Sequence, residues 1–85
     1  MARTDKRIDA YLAIDSERDF QDTKFAGKPD LSIEGSLMVL DKLHSDALLA
    51  WYDGNLADVL DHVRKIGGVA TRCMEIHGAP LREPA

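Results

Sequence analysis

Two histidines and two aspartates are spaced so that they could hold a metal ion between neighbouring helices. His44 and His62 are each nine residues from Asp53, so a hairpin turning there would bring them to the same height. Asp41 lies one helical turn from His44, and Asp58 lies one turn from His62. Imidazole and carboxylate groups together suit a divalent transition metal. The alternative is one partly buried histidine, His44, and one exposed histidine, His62.

A group of polar side chains near the end of the first predicted helix has the residue types that contact anions. Arg18, Gln21 and Lys24 recur every three residues, which places them near one helix face. One interpretation is a binding site for an anionic cofactor or ligand, such as a nucleotide phosphate. The alternative is a surface of ion pairs with Glu17 and Asp22.

Several other side chains permit a functional and a structural interpretation. Lys28 follows in the loop and could extend either arrangement of the preceding group. On the third predicted helix, Arg64, Lys65 and Arg72 face away from the apolar stripe and are interpreted as solvated. Trp51 could stack on a base, but its place on an apolar stripe favours packing.

The apolar spacing predicts an all-α fold of three helices in an antiparallel arrangement, spanning about residues 4–25, 32–52 and 55–78. Thr4, Ser32 (or Asp30) and Asn55 are the expected N-caps. The breaks between helices contain glycine or proline, which oppose helix continuation. We expect one domain over residues 1–85, with a loose tail at residues 79–85.

The second and third helices have broad apolar stripes, which predict the core. The stripe of the second helix consists of Ile33, Ser36, Leu37, Leu40, Leu43, His44, Ala47, Leu48 and Trp51. That of the third consists of Leu56, Val59, Leu60, Val63, Ile66, Gly67, Ala70, Met74 and His77. A domain this small hides only part of such a surface, so we expect oligomerisation to complete the fold.

Adjacent glycines within the third predicted helix indicate a close packing contact. Gly67 and Gly68 each cost a helix about 1 kcal/mol relative to alanine. Close approach of another helix, in the same chain or in another subunit, would offset that cost. We therefore predict Gly67 and Gly68 as an oligomer contact, with a helix kink as the alternative.

Composition restricts the possible partners and environment. The net charge of −4 and pI near 5.2 disfavour general nucleic-acid binding, which needs a concentrated basic surface. The single cysteine, Cys73, forms no internal disulfide, as is typical of a reducing compartment. No apolar run has the length of a signal peptide or a membrane span. The expected location is cytoplasmic, without a membrane partner.

Two segments together resemble a known family. ERDFQDTKF at residues 17–25 resembles the opening of small MazG-like proteins of phages and bacteria, and VRKIGGVATRCMEIHG at residues 63–78 resembles their closing helix. The resemblance implies an all-α fold and intertwined dimers or tetramers. It also implies Mg²⁺-dependent cleavage of nucleoside triphosphates to a monophosphate and pyrophosphate, for which clustered carboxylates hold the ion.

The acidic motifs that this family uses are incomplete in the present chain. In the register that keeps Asp46 as the last acid of the first motif, Lys42 and Leu43 replace the paired glutamates. The second motif begins with Asn55 in place of glutamate and ends at Asp58, while a later register reaches Asp61. Asp46, Asp58 and Asp61 are therefore the candidate metal ligands that the resemblance implies.

Three functions remain as hypotheses. The first is a non-catalytic or weakly catalytic MazG-like homo-oligomer that binds a nucleotide or a host protein, as a phage inhibitor or ligand sponge of host defence would. The second is a Mg²⁺-dependent nucleotide pyrophosphohydrolase that uses Asp46, Asp58 and Asp61. The third is a structural interaction module without a small ligand. Loss of carboxylates favours the first over the second.

Overall fold

Three helices account for most of the chain, and each begins with a side-chain cap. The computed structural model describes residues 3–83, with α1 at Asp5–Lys24, α2 at Ile33–Tyr52 and α3 at Leu56–His77. The side-chain oxygens of Thr4, Ser32 and Asn55 each accept a backbone N–H three residues later, at 3.0–3.2 Å. The predicted helices and N-caps are confirmed, with bounds that differ by one residue or less.

Glycines with positive φ make both interhelical connections possible. Gly27 has φ 77° in the loop after α1, and Gly54 has φ 74° in the short turn between α2 and α3. The N–H of Gly54 donates to the carbonyl of Trp51, which closes that turn. An L-residue with a side chain rarely adopts this backbone conformation. The turn makes α2 and α3 an antiparallel hairpin, as the sequence predicts.

The three helices form a layer with α3 in the middle. Both α1 and α2 pack against α3, whereas within residues 3–83 there is no close helix packing between α1 and α2. The described chain is 38 × 36 × 27 Å in extent, so it is thinnest in one direction. A groove therefore remains between the two outer helices on one side of the layer.

Small side chains form the contact between α2 and α3. Ser36, Ala47 and Ala50 are the buried residues of α2. Their size lets the two helix axes approach closely. Among residues 3–83, only Ala47 and Ala50 are buried apolar residues, and no large side chain is fully buried. The isolated chain therefore has a thin core.

The predicted apolar core is wrong for much of both stripes. Residues assigned to the core that are instead exposed include Ile33, Leu37, Leu48 and Trp51 on α2 and Leu56, Leu60, Val63 and Met74 on α3. Each stripe is broader than the strip of helix surface that its neighbour covers. Trp51, which the sequence assigns to packing, is 62% exposed.

The glycine pair lies where α1 crosses α3. A Cβ built on Gly68 would lie 2.6 Å from Cγ of Glu17 and 2.7 Å from Nε2 of Gln21, and one on Gly67 would lie 3.0 Å from Cγ1 of Ile14. The expected close approach of another helix is confirmed, and it occurs within the chain. The role of these glycines as an oligomer contact stays a prediction.

Two further features bear on the sequence-based expectations. Within the part of the chain that the structure describes, no helix is both long and apolar enough to cross a bilayer. Residues 79–83 have no helix or strand and are exposed, while the last two residues of the expected loose tail lie outside the described range.

We expect Gly68→Ala to be less stable than Gly67→Ala by about 1–3 kcal/mol, because its methyl group would lie 2.6 Å from Glu17, whereas the methyl group of Gly67→Ala would lie 3.0 Å from Ile14. Both substitutions gain the same helix propensity, so their difference isolates the close approach. Urea unfolding of the two variants measures it. Equal stabilities would show that α1 does not approach Gly68 more closely than Gly67.

Candidate functional site

A seam of charged and polar side chains joins α1 to α3. Arg18, which is 7% exposed, donates from Nε and Nη2 to the two carboxylate oxygens of Glu75, at 3.0 and 2.6 Å. It also donates to Gln21 at 3.1 Å and to Asp22 at 3.0 Å. The bidentate geometry fixes the rotation of α1 about its axis on α3.

The seam continues toward the start of α3. Glu17, which is 6% exposed, accepts from Nε of Arg64 at 3.0 Å. Arg64 also forms an ion pair with Asp61, and Lys65 lies 3.3 Å from the other oxygen of Asp61. Two acids and two bases therefore balance one another at this end of the seam.

The seam changes the interpretation of two groups of residues. Arg64 was expected to be solvated but pairs with a buried carboxylate, and Arg72, with 19% side-chain exposure, pairs with Asp30. That expectation is wrong for both, because α1 and its following loop cover this side of α3. Arg18 and Gln21 face α3, and Arg18 already has hydrogen-bond partners. Of the proposed anion-binding trio, Lys24 remains exposed.

The main cavity is a groove of about 590 Å³ between α1 and α2, with α3 as its floor. Its apolar lining residues are Phe20, Phe25, Pro29, Leu31, Val39, Leu43, Val69 and Ile76. Its polar lining residues are Glu17, Gln21, Lys24, Lys28, Ser36, Lys65 and Arg72. A lining in which apolar side chains are joined by a few charged ones is typical of a small-molecule site.

Three cations of this groove converge on one aromatic ring, and we call Lys24, Lys28 and Arg72 the cation cluster. Their charged groups lie 5.5, 5.6 and 5.9 Å from the centre of the Phe25 ring. Asp30, 3.1 Å from Arg72, is the carboxylate paired with this cluster. The three cations and the one carboxylate together leave two positive charges, in a chain whose net charge is −4.

The sequence predicts only part of this cluster. Lys24 and Lys28 are candidate anion contacts, whereas Arg72 is predicted to be solvated and Phe25 has no predicted role in a site. The sequence signal for this cluster is the closeness of Lys24, Phe25 and Lys28 at a helix end. That signal does not show that Arg72, 44 residues beyond Lys28, meets them across the layer.

The candidate metal ligands come together in part. One ligand atom from each of Asp58, Asp61 and His62 lies within 4.8 Å of the others. However, Asp61 already pairs with Arg64 and Lys65, and the Nδ1–H of His62 donates to the backbone carbonyl of Asp58 at 2.8 Å. Mg²⁺ prefers a shell of oxygen ligands, so a site with two carboxylates, one of them already paired with two cations, fits it poorly.

Asp46 and the two histidines differ from their expected arrangement. Lys42 donates to Asp46 at 2.7 Å and lowers its pKa, so a lysine takes the carboxylate that the metal site would use. His62 has 15% side-chain exposure whereas His44 is exposed, which reverses the predicted assignment. The reason is that α3 covers a different strip of α2 from the one that contains His44.

Cations also hold two carboxylates of the seam in their charged form. Hydrogen bonds from Arg18 lower the pKa of Glu75, and those from Arg64 and then Lys65 lower the pKa of Asp61. A carboxylate held in this way is a poor general base, because its affinity for a proton is reduced. The seam is therefore suited to holding helices together.

No protein-family model matches the chain, and comparison with curated proteins and with solved structures finds no match either.

Acid should weaken the seam through Glu75. Because the pKa of Glu75 is lowered in the folded chain, the stability from its pairing is present above the ordinary value of 4.5 and is lost as the pH falls through the lowered folded value. We expect the free energy of unfolding to fall below about pH 4.5 and Glu75→Gln to reduce that slope. Urea unfolding across this range measures it, with Glu83→Gln in the exposed tail as control. An unchanged slope in Glu75→Gln would contradict the pairing.

Proposed function

We propose that this chain is a non-catalytic helical homo-oligomer that binds a nucleotide-type anionic ligand in the groove between α1 and α2. The observation behind the proposal is the cation cluster at one end of an apolar groove. A nucleotide has the matching distribution, with a flat ring at one end and negative phosphate groups at the other.

Charge and shape support an amphipathic anion as the ligand. The balance of two positive charges at the cation cluster favours phosphate oxygens over a neutral head group. Phe20 lines the same groove and offers a ring face to the base, and stacking on a base contributes about 1–3 kcal/mol. Near Lys65, in contrast, Glu17 and Asp61 balance the bases. The phosphate end should therefore lie toward Phe25.

A Mg²⁺-dependent pyrophosphohydrolase is the second candidate, supported by the proximity of Asp58, Asp61 and His62. Its weakness is the pairing of Asp61 with Arg64 and Lys65 and of Asp46 with Lys42. A metal would have to compete with these cations. We therefore favour binding without turnover.

Self-association is part of the proposal, as is a role with a partner protein. Eighteen large apolar residues within residues 3–83 are exposed in the single chain, which is more than scattered surface residues explain. The resemblance to MazG-like proteins supports oligomers, and it suggests a phage inhibitor or ligand sponge as one biological setting. A purely structural interaction module is the remaining alternative, and it would bind no nucleotide.

The double variant Lys24→Ala/Lys28→Ala should weaken nucleotide binding at least about tenfold, since a hydrogen bond to a charged group contributes about 1.5–3 kcal/mol. Calorimetric titration with adenosine and guanosine mono- and triphosphates measures this. The control, Lys6→Ala/Arg82→Ala, removes the same charge from exposed positions outside the groove and should bind normally. Absence of binding by the wild-type chain would favour the structural module.

We also expect no release of pyrophosphate above background from common nucleoside triphosphates with Mg²⁺ or Mn²⁺. The acids that would hold the ion are engaged by cations, and loss of a positioned base alone slows such reactions about 10²–10⁴-fold. A coupled pyrophosphate assay measures release. Turnover that Asp58→Asn abolishes would instead establish the second candidate.

A further inference from the structure

We propose that the face of α2 and α3 turned away from the groove binds a second copy of this chain. We call this surface the back face and define it by Leu37, Leu48 and Trp51 on α2 and by Leu60, Val63 and Met74 on α3. The inference rests on the self-association proposed above and specifies which surface is responsible.

The back face has the residue spacing of an interface between two packed helices. On α3, Leu56, Leu60, Val63, Gly67, Ala70 and Met74 recur at alternating intervals of four and three residues. This is the heptad pattern by which one helix packs its side chains between those of another. Leu60, Val63 and Met74 are 59%, 51% and 43% exposed, so within the described chain no helix covers these three positions. Ile14 of α1 lies beside Gly67, at the edge of this stripe.

The stripes of α2 and α3 lie on the same side of the layer. A step of two residues turns a helix by about 200°, which leads to its opposite side. Val39, Lys65 and Arg72 line the groove. The residues two positions before Val39 and Lys65 are Leu37 and Val63, and the residue two positions after Arg72 is Met74. All three therefore point away from the groove.

Charge favours a second copy over a different partner. The six residues that define the back face are uncharged, whereas the chain as a whole has a net charge of −4. Two identical acidic chains repel each other unless they meet through an uncharged surface. An oppositely charged partner would instead be attracted to the acidic surface. The back face is thus the surface through which identical copies meet with little repulsion.

The size of the back face also suits a dimer. Residues 56–74 of α3 span about 27 Å at 1.5 Å per residue, and two adjacent helices present a width of about 20 Å. The projected area is about 500 Å², and protruding side chains increase the accessible area toward the roughly 800 Å² per partner of a specific interface.

Two back faces packed together would form a four-helix bundle from α2 and α3 of each copy, with both grooves facing outward. Each copy would then keep its own ligand site. This arrangement differs from one in which the second copy fills the groove, because ligand binding and dimer formation would not compete.

The test compares neighbouring leucine and methionine positions on α2. We expect light scattering at micromolar concentration to give twice the chain mass of 9.4 kDa for the wild-type protein. Leu37→Glu should shift the dimer toward monomer by at least about tenfold in dissociation constant, because it places two carboxylates in an apolar interface. The control Met38→Glu changes a residue that is 67% exposed but lies outside the back face, so it should leave the mass unchanged.

Cross-linking gives a measurement that does not depend on a disruptive charge. In a Cys73→Ser background, a bismaleimide should join Val63→Cys to a second copy. The control Leu49→Cys, which is also exposed but lies outside the back face, should not be joined. Preferential cross-linking through Leu49→Cys would overturn the back face, as would a dimer that Met38→Glu dissociates and Leu37→Glu does not. A monomeric wild-type protein would overturn both this inference and the self-association of the proposed function, while nucleotide binding would be judged separately by titration.

Discussion

The charged seam between α1 and α3 determines the architecture of this chain. Arg18 and Glu17 are nearly buried on α1, and their partners Glu75 and Arg64 come from α3. Buried ion pairs contribute little net stability compared with apolar packing, but an unpaired buried charge is strongly unfavourable. The main effect of the pairing is therefore to restrict α1 to one position on α3. Its contribution to the total free energy of folding is small.

That position explains both surfaces on which the functional proposals rest. Because α1 lies along α3 at Gly68, it does not pack against α2, and a groove stays open between these two outer helices. The loop after α1 then brings Phe25 and Lys28 toward Arg72. On the other side of the layer, Leu60, Val63 and Met74 of α3 have no helix against them within residues 3–83. The binding groove and the exposed docking face thus both follow from the contact between α1 and α3.

Local signals in the sequence predict the helices well and their neighbours poorly. The caps at Thr4, Ser32 and Asn55 depend on residues three positions apart, so the sequence contains all that is needed to place them. An apolar stripe shows which residues favour burial but not which helix covers them, and much of the predicted core is therefore exposed. Likewise, Arg18 and Glu75 are 57 positions apart, and nothing in their spacing indicates that they pair.

A double-mutant cycle on Arg18 and Glu75 tests the central claim most directly. The free energies of unfolding of the wild type, Arg18→Met, Glu75→Met and the double variant give the coupling between the two side chains. If this pair fixes α1 on α3, the coupling should be about 1 kcal/mol or more, even though Glu75 is partly open to solvent. Effects that add to within about 0.3 kcal/mol would show that the two residues act independently, and the seam would not be what holds the layer in this arrangement.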